Sequence, residues 1–286
     1  MLALSEPTKL RFAYGFWRYR EDDLATARAV LSAARERGID HLDTADVYGG
    51  AGGSERLLGE LRRRAPSLFD GAVLATKAGV EPGVPYNSSR AYLTAACEAS
   101  LGRLGVERID LFYVHRPDLL THPAELAATL DALVAAGKIA NVGVSNFTVA
   151  EIEVLSRFMK SPIVAHQIEF SAMHVEPLFD GTLDQAMQRG IAVAAWSPLA
   201  GGRLAAPKSV SENRVFEVLQ RLAAKAGVAL EAMAVAFLRS HPAPVTPILG
   251  TTSVDRLHAC LAAEAFALSR ADWYSVVEAC LGKRMP

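Results

Sequence analysis

Residues 109–146 read IDLFYVHRPDLLTHPAELAATLDALVAAGKIANVGVSN, a stretch that contains one complete strand–helix–strand unit. The apolar runs at 109–115 and 140–144 have the length and composition of buried strands. Between them, residues 124–136 carry apolar side chains at three- and four-residue spacing, which predicts a helix, and Gly137 stands where such a helix would end. A helix that connects two buried strands predicts parallel pairing with a right-handed crossover.

The same unit repeats along the whole chain. The predicted strands are residues 10–14, 39–43, 73–77, 109–115, 140–144, 164–168, 192–196 and 246–249. The predicted helices are residues 23–37, 55–64, 89–104, 124–136, 150–159, 183–189, 215–225, 230–239 and 271–281. Thr148 followed by Glu151 is the pattern of a helix capping box, and Gly38, Gly105 and Gly190 follow predicted helix ends. Eight strands that are apolar on both faces favour an α/β fold, a closed (β/α)8 TIM barrel that forms one domain over residues 1–286.

An open, doubly wound sheet is the alternative architecture. A nucleotide-binding sheet of this kind usually carries a G-x-G-x-x-G motif after its first strand, and this chain has no such motif there. The glycine-rich residues 49–53 follow the second predicted strand and lack the Lys-Ser/Thr pair of a phosphate-binding loop. The barrel is therefore the preferred prediction.

Composition and charge exclude several classes of protein. The chain has 30 basic and 31 acidic residues and a formal net charge of −1, which predicts no nucleic-acid partner and no membrane surface patch. No apolar run approaches the roughly 20 residues that a membrane span needs, and the first residues do not resemble a signal peptide. Cys97, Cys260 and Cys280 are odd in number and far apart, so we expect neither a disulfide framework nor a zinc ribbon, and we expect a cytoplasmic protein.

Polar side chains stand at the ends of several predicted strands, where the apolar pattern stops. They are Asp43, Lys77, His115, Ser145, Asn146, Gln167 and Trp196. Each has an ordinary explanation when taken alone, such as a helix cap, a rim lysine or a core aromatic. Because the carboxyl ends of barrel strands meet at one mouth, the set as a whole predicts an active site there.

This set is suited to the reduction of a carbonyl group. Tyr48, on the loop after the second strand, can donate the proton, and the Lys77 ammonium would lower the tyrosine pKa from about 10. Asp43 can keep Lys77 charged inside a cleft, and His115 can orient the carbonyl oxygen. A nicotinamide cofactor would supply the hydride, with an aromatic side chain stacked on its ring and amide side chains paired with its carboxamide.

Six motifs resemble those of one known family in order and spacing. They are LDTADVYG at 42–49, ATK at 75–77, DLFYVHRP at 110–117, GVSNF at 143–147, QIEF at 167–170 and AWSPLAGG at 195–202. The chain resembles the aldo-keto reductases over essentially its full length, and in particular a group of short bacterial members. The resemblance implies the barrel fold, the tetrad of Asp43, Tyr48, Lys77 and His115, and an NADP(H)-type cofactor bound without a Rossmann domain.

The resemblance also implies roles for residues around the mouth. Ser145, Asn146 and Gln167 would hold the carboxamide, and Trp196 would stack on the nicotinamide where much of the family has tyrosine. The other residues expected to bind the cofactor are Phe16, Asp43, Ser197, Pro198, Leu199, Gly201, Arg203, Gly250, Thr251, Thr252 and Arg256. Trp17, Tyr48 and His115 are expected to contact the substrate, and no metal is expected.

The phosphate end of the expected cofactor site departs from the family pattern. Gly250 stands where some members have lysine, and Ala259-Cys260 replace a Glu-Asn pair that grips adenine. Arg256 matches the family arginine that binds the 2′-phosphate, while backbone N–H groups of residues 250–253 can receive a phosphate. NADP(H) is therefore favoured as the cofactor, and NAD(H) stays open.

Two other functions compete with a small-molecule carbonyl reductase. One is a cofactor-binding regulatory subunit of the same fold with little catalysis, against which the intact tetrad weighs. The other is a metal-dependent barrel hydrolase, which would show a His-x-His motif or a histidine–carboxylate set at the strand ends.

We expect a monomer or weak homo-oligomer. The pocket is expected to be open and broad in substrate range, with Tyr86 and His174 as further lining candidates; the substrate and the reaction direction stay open.

Overall fold

The computed structural model describes residues 12–286, in which eight parallel strands close into a barrel. The strands are β1 Ala13–Gly15, β2 His41–Asp43, β3 Val73–Ala78, β4 Leu111–Val114, β5 Val142–Ser145, β6 Ile163–Glu169, β7 Ala192–Trp196 and β8 Val245–Leu249. Each strand pairs with the next along the chain, and β8 pairs with β1 to close the ring. The predicted (β/α)8 barrel is confirmed. Residues 10 and 11 of the first predicted strand lie outside the described residues.

Helices connect the strands and surround the barrel. They are α1 Leu24–Glu36, α2 Gly53–Arg64, α3 Arg90–Leu104, α4 Pro123–Ala135, α5 Val149–Phe158, α6 Thr182–Arg189, α7 Val210–Ala226, α8 Leu230–Arg239, α9 Val254–Leu261 and α10 Arg270–Leu281. Within residues 12–286, none of these helices combines the length and the apolar character needed to cross a bilayer. The predicted bounds agree to within two residues except for α7, and α9 is not among the predicted helices.

Helix ends follow the capping chemistry of the sequence. The predicted capping box is present at α5, where Thr148 Oγ1 accepts the Glu151 N–H at 3.2 Å and the Glu151 carboxylate accepts the Thr148 N–H at 2.7 Å. A second capping box, formed by Ser209 and Glu212, begins α7 at Val210 rather than at 215. The prediction missed this start because residues 210–214 lack a regular apolar pattern, although Ser209 and Glu212 have the capping spacing.

Alternation along the strands divides the interior into one large core and two small clusters, of which one consists of Ala13, Ala194 and Ile248. One core lies between barrel and helices, and a small one fills the lumen with Ala75, Leu111, Tyr113 and Ala165. Gly143 leaves room for the Tyr113 ring, because a Cβ atom at this glycine would lie 2.5 Å from two ring carbons. The lumen is therefore closed by side chains, as is usual for this barrel. Above this lumen, at the carboxyl ends of the strands, the next inward-facing side chains are those of Asp43, Lys77 and Gln167.

His166 is a buried histidine on β6. It is 2 % exposed, and its Nε2 atom has no hydrogen-bond partner among the described residues. Burial lowers its pKa to about 4, although the Asp180 carboxylate acts in the opposite direction. The folded protein therefore keeps His166 neutral in a pH range where an unfolded chain, with a histidine pKa of about 6.5, takes up a proton.

We expect this difference to make the protein acid-sensitive through His166. As the pH falls from about 6.5 to 4, the unfolded chain gains a proton that the folded chain does not, so the free energy of unfolding should fall by about 3 kcal/mol. His166→Gln should remove most of that contribution. Urea unfolding at several pH values measures it, with the exposed His258→Gln as the control. An unchanged pH slope in His166→Gln would contradict the prediction.

Candidate active site

A buried ion pair lies at the carboxyl end of the barrel. Asp43 ends β2 and Lys77 lies near the end of β3, and the Lys77 Nζ atom is 2.7 Å from Asp43 Oδ2. The Asp43 side chain is 5 % exposed and the Lys77 side chain is 0 % exposed. Lys77 also donates to the Thr44 carbonyl oxygen at 2.7 Å, and Gln167 Nε2 donates to Asp43 Oδ1 at 2.8 Å. Both carboxylate oxygens of the pair are thus hydrogen-bonded.

The charges of this pair support each other. Burial alone would lower the pKa of Lys77, but the Asp43 carboxylate and the Tyr48 hydroxyl oppose burial, and the Lys77 pKa stays above its ordinary value. Lys77 is therefore an ammonium group at neutral pH. A buried ammonium with a satisfied carboxylate partner is a fixed positive charge beneath the mouth.

Tyr48 lies beside this charge, on the loop that follows β2. The Lys77 Nζ atom is 5.0 Å from the centroid of the tyrosine ring, and the side chain is half-buried. Burial raises the pKa of Tyr48 more than the Lys77 ammonium lowers it, so the pKa lies above its ordinary value. The sequence had predicted a net lowering. The ammonium has the expected effect, but burial outweighs it, and the hydroxyl stays protonated at neutral pH.

His115 follows β4 and faces Tyr48 from the other side. The two ring centroids are 5.7 Å apart, and the rings are close to perpendicular. Burial and then the positive charges of Lys77 and Arg116 lower the pKa of His115 to about 3. Its Nδ1 atom has no hydrogen-bond partner among residues 12–286. The imidazole is therefore neutral and can offer a hydrogen bond without carrying a charge.

A second buried acidic group, which the sequence did not predict, lies behind the tetrad. Burial, followed by the nearby Glu55 carboxylate, raises the pKa of Asp46 to about 7. Glu55 itself accepts from Thr76 Oγ1 at 2.5 Å and pairs with Arg103 at 2.6 Å. The Asp46 N–H donates to the Lys77 carbonyl oxygen at 3.0 Å. The cluster ties the loop before Tyr48 to β3 and to α3. Asp46 lies within the LDTADVYG motif, which is the signal that could have identified it.

Three side chains form a connected group across the mouth from Tyr48. Asn146 Nδ2 donates to Ser145 Oγ at 2.7 Å, and Trp196 Nε1 donates to Asn146 Oδ1 at 3.0 Å. Asn146 has a φ of 59°, a conformation that asparagine tolerates better than most residues. The indole N–H thus performs a task that sequence analysis did not assign to Trp196: it fixes the amide of Asn146.

The backbone of the loop after β7 adopts left-handed conformations, and a ligand can approach such a backbone closely. Ser197, Ala200, Gly201 and Gly202 all have positive φ values. Arg203 anchors the loop, since its guanidinium is 3.2 Å from Glu212 and 3.7 Å from Glu169. The other predicted cofactor residues of this loop are Pro198, which is buried, and Leu199, which is half-buried.

The segment between β8 and α9 forms the predicted phosphate end. A Cβ atom at Gly250 would meet only the Gly15 carbonyl oxygen, at 3.8 Å, so the backbone is open there. Tyr14 Oη donates to the Thr251 carbonyl oxygen at 2.8 Å, which holds the segment against β1. Ser253 caps α9, and Arg256 in its first turn is exposed, as is Thr252.

The residues present fit a nicotinamide dinucleotide. Amide and hydroxyl donors of Asn146, Gln167 and Ser145 lie at the mouth, and the start of α9 with exposed Arg256 offers a positive site for a phosphate. No group of three or more histidine, cysteine, aspartate or glutamate side chains in the described part of the chain could hold a metal ion.

The remaining predicted residues fall in different environments. The Phe16 side chain is fully buried, with its ring centroid 5.0 Å from that of Tyr14, so it packs in the core rather than at the mouth. Trp17 is 60 % exposed on the loop after β1, and Tyr86 is exposed as well. His174 Nε2 lies 3.2 Å from the Glu176 carboxylate.

Comparison with known proteins agrees with this geometry. The family model described as "Aldo/keto reductase family" matches residues 11–280. The chain is 41 % identical to the 6-dehydroglucose reductase of Novosphingobium aromaticivorans, with 96 % of this chain and 92 % of that protein covered. It is 34 % identical to the 6-dehydroglucose reductase of Agrobacterium fabrum, with 99 % of each covered.

A solved structure shows the same fold. It is the crystal structure of a thermostable aldo-keto reductase in complex with the inhibitor epalrestat, with a TM-score of 0.81, 23 % identity and 94 % of each chain covered. The family model, the full-length relatives and the barrel agree with one another. The chain belongs to the aldo/keto reductase family and is an oxidoreductase.

Proposed function

We propose that this protein reduces an aldehyde or ketone to an alcohol with NADPH, and that Tyr48 donates the proton. The observation that carries the proposal is the position of the Tyr48 ring, 5.0 Å from the buried Lys77 ammonium and 5.7 Å from the neutral His115 ring. The names of the two relatives, both 6-dehydroglucose reductases, support a sugar-type carbonyl compound as the substrate class.

The residues divide the proton chemistry among them. When bound, the nicotinamide cofactor would supply the hydride that reaches the carbonyl carbon. The Tyr48 hydroxyl gives its proton to the carbonyl oxygen, and the Lys77 ammonium stabilises the phenolate that is left. His115, neutral because burial lowers its pKa, orients the carbonyl oxygen by a hydrogen bond. Asp43 keeps Lys77 charged throughout.

The mouth residues would hold the cofactor in place. Asn146 and Ser145, with Gln167, offer amide and hydroxyl groups for a carboxamide, and Trp196 offers a ring face whose orientation is fixed by its bond to Asn146. Arg256 would pair with a 2′-phosphate, which is why NADPH is preferred to NADH in this proposal. Phe16 would contribute through its backbone alone, because its side chain is buried.

We further propose that the protein acts on small molecules in the cytoplasm, as a monomer or weak homo-oligomer, without a nucleic-acid or membrane partner. The balanced charge of the chain supports the absence of a nucleic-acid or membrane partner. The intact tetrad of Asp43, Tyr48, Lys77 and His115 weighs against a regulatory role without catalysis.

Replacing Tyr48 by phenylalanine tests the proton donor. Tyr48→Phe should lower kcat for carbonyl reduction by about 10²- to 10⁴-fold, because the general acid is lost. The affinity for NADPH, measured by the quenching of tryptophan fluorescence, should change little. Tyr274→Phe, at an exposed tyrosine on α10, is the matched control. Full activity in Tyr48→Phe would remove Tyr48 from this role.

The buried ion pair is tested by a double-mutant cycle. Lys77→Met should destabilise the fold by about 3–5 kcal/mol, because it leaves the Asp43 carboxylate buried without its partner. Asp43→Asn in addition should recover part of this loss, since no unpaired charge remains. Urea unfolding gives the free energies. Both variants should lack reductase activity. Additive losses in the cycle would mean that the two charges are not coupled.

Arg256 tests the choice of cofactor. Arg256→Met should weaken NADPH binding by about tenfold or more, because a charge-assisted hydrogen bond to the 2′-phosphate is lost. NADH binding should stay the same within error. Fluorescence titration of the purified protein with each nucleotide measures both constants without turnover. Equal weakening for NADPH and NADH would show that Arg256 does not read the 2′-phosphate.

A further inference from the structure

Arg116 extends over the mouth of the candidate active site. It directly follows His115 at the end of β4, and its guanidinium carbon lies 5.7 Å from the centroid of the Trp196 ring at the end of β7. Strands β5 and β6 separate β4 from β7 in the barrel. The arginine therefore reaches across part of the mouth and over the end of β5, where Asn146 bonds to the same indole ring.

The Arg116 guanidinium forms no ion pair with another residue among residues 12–286. Arg103, which is also partly buried, pairs by contrast with the Glu55 carboxylate at 2.6 Å. Within residues 12–286, the Arg116 guanidinium has the ring contact with Trp196 but no ion pair or hydrogen bond to a side-chain or backbone acceptor. Holding a half-buried charge without a partner is unfavourable, so such a group at a mouth indicates a ligand.

The charge is also close enough to act on the reacting groups. After burial and Lys77, Arg116 contributes to the lowered pKa of His115. It opposes the burial that raises the pKa of Tyr48. A substrate whose carbonyl oxygen lies between Tyr48 and His115 would therefore have the guanidinium near the atoms next to its carbonyl carbon.

We propose that Arg116 is a specificity-determining residue that donates hydrogen bonds to an oxygen substituent, hydroxyl or acidic, of the carbonyl substrate. This inference rests on the proposed reductase function and names a chemical feature of its substrate. The guanidinium has five N–H donors in a planar fork, which suits two neighbouring oxygens or an acidic group. The contact with Trp196 holds the fork at the mouth and leaves these donors without an oxygen acceptor.

Three aldehydes of equal carbon number test the inference: propanal, glyceraldehyde and glyceraldehyde 3-phosphate. The first has no further oxygen, the second has hydroxyl groups and the third has an acidic group. Arg116→Met keeps an apolar contact for Trp196 and removes the donors. We expect the ratio of kcat/KM for an oxygen-bearing aldehyde to that for propanal to fall about 10- to 100-fold, mainly through KM.

The pattern of loss identifies the group that Arg116 binds. A loss confined to glyceraldehyde 3-phosphate would assign an acidic oxygen, and a similar loss for glyceraldehyde would assign a hydroxyl. Arg116→Lys keeps the charge without the fork, so it should restore part of the preference for the phosphate and little of that for the hydroxyl compound. Arg157→Met, an exposed arginine in the last turn of α5, is the control.

Two results would overturn the inference. An equal loss for all three aldehydes would show that Arg116 acts on the tetrad and not on the substrate. An unchanged preference, with or without a change in the NADPH dissociation constant, would show that it only supports Trp196. Circular dichroism checks that each variant is folded. Failure of the proposed function itself is distinguishable, because the wild-type protein would then reduce none of the three aldehydes with either nucleotide.

Discussion

The buried pair of Asp43 and Lys77 is the interaction on which the rest of the site depends. Removing two charges from water is expensive, and the protein compensates with a 2.7 Å contact and with further hydrogen bonds from Gln167 and to the Thr44 carbonyl. These partners come from β2, β3 and β6, so the pair is fully bonded only when the barrel has closed. The site and the fold therefore form together.

Burial also sets the protonation states of the groups around this pair. Burial favours neutral forms, and it keeps the Tyr48 hydroxyl protonated and the His115 imidazole uncharged. Lys77 resists the same burial because Asp43 lies against it. The result is an ammonium group paired with a carboxylate and placed beside a neutral tyrosine and a neutral histidine, an arrangement that can stabilise negative charge on an oxygen atom at the mouth. Asp46, farther back, adds a carboxyl group with a pKa of about 7.

The sequence could predict the order of strands and helices and the polar residues that end each strand. The alternation of apolar runs and helices gave the barrel, and the ends of β2 and β3 gave Asp43 and Lys77. It could not give contacts between distant strands, such as Arg116 with Trp196 or the indole N–H with Asn146. It also misjudged the pKa of Tyr48, because the extent of burial is a property of the folded loop. It named Phe16 as a cofactor-binding residue but could not show that the aromatic neighbours Tyr14 and Tyr19 hold its side chain in the core, which leaves only its backbone for that role.

Gly143 affects the route by which a proton can reach the candidate active site. By admitting the Tyr113 ring into the lumen, it leaves beneath the site a cavity of about 10 Å³, room for no more than about one water molecule. The side chains that fill the lumen therefore separate Tyr48 from the far end of the barrel. In the proposed mechanism, the Tyr48 phenolate would then regain its proton from the mouth of the barrel, the side by which the alcohol would leave. Reprotonation and product release would share one passage, and a tightly held product would delay both.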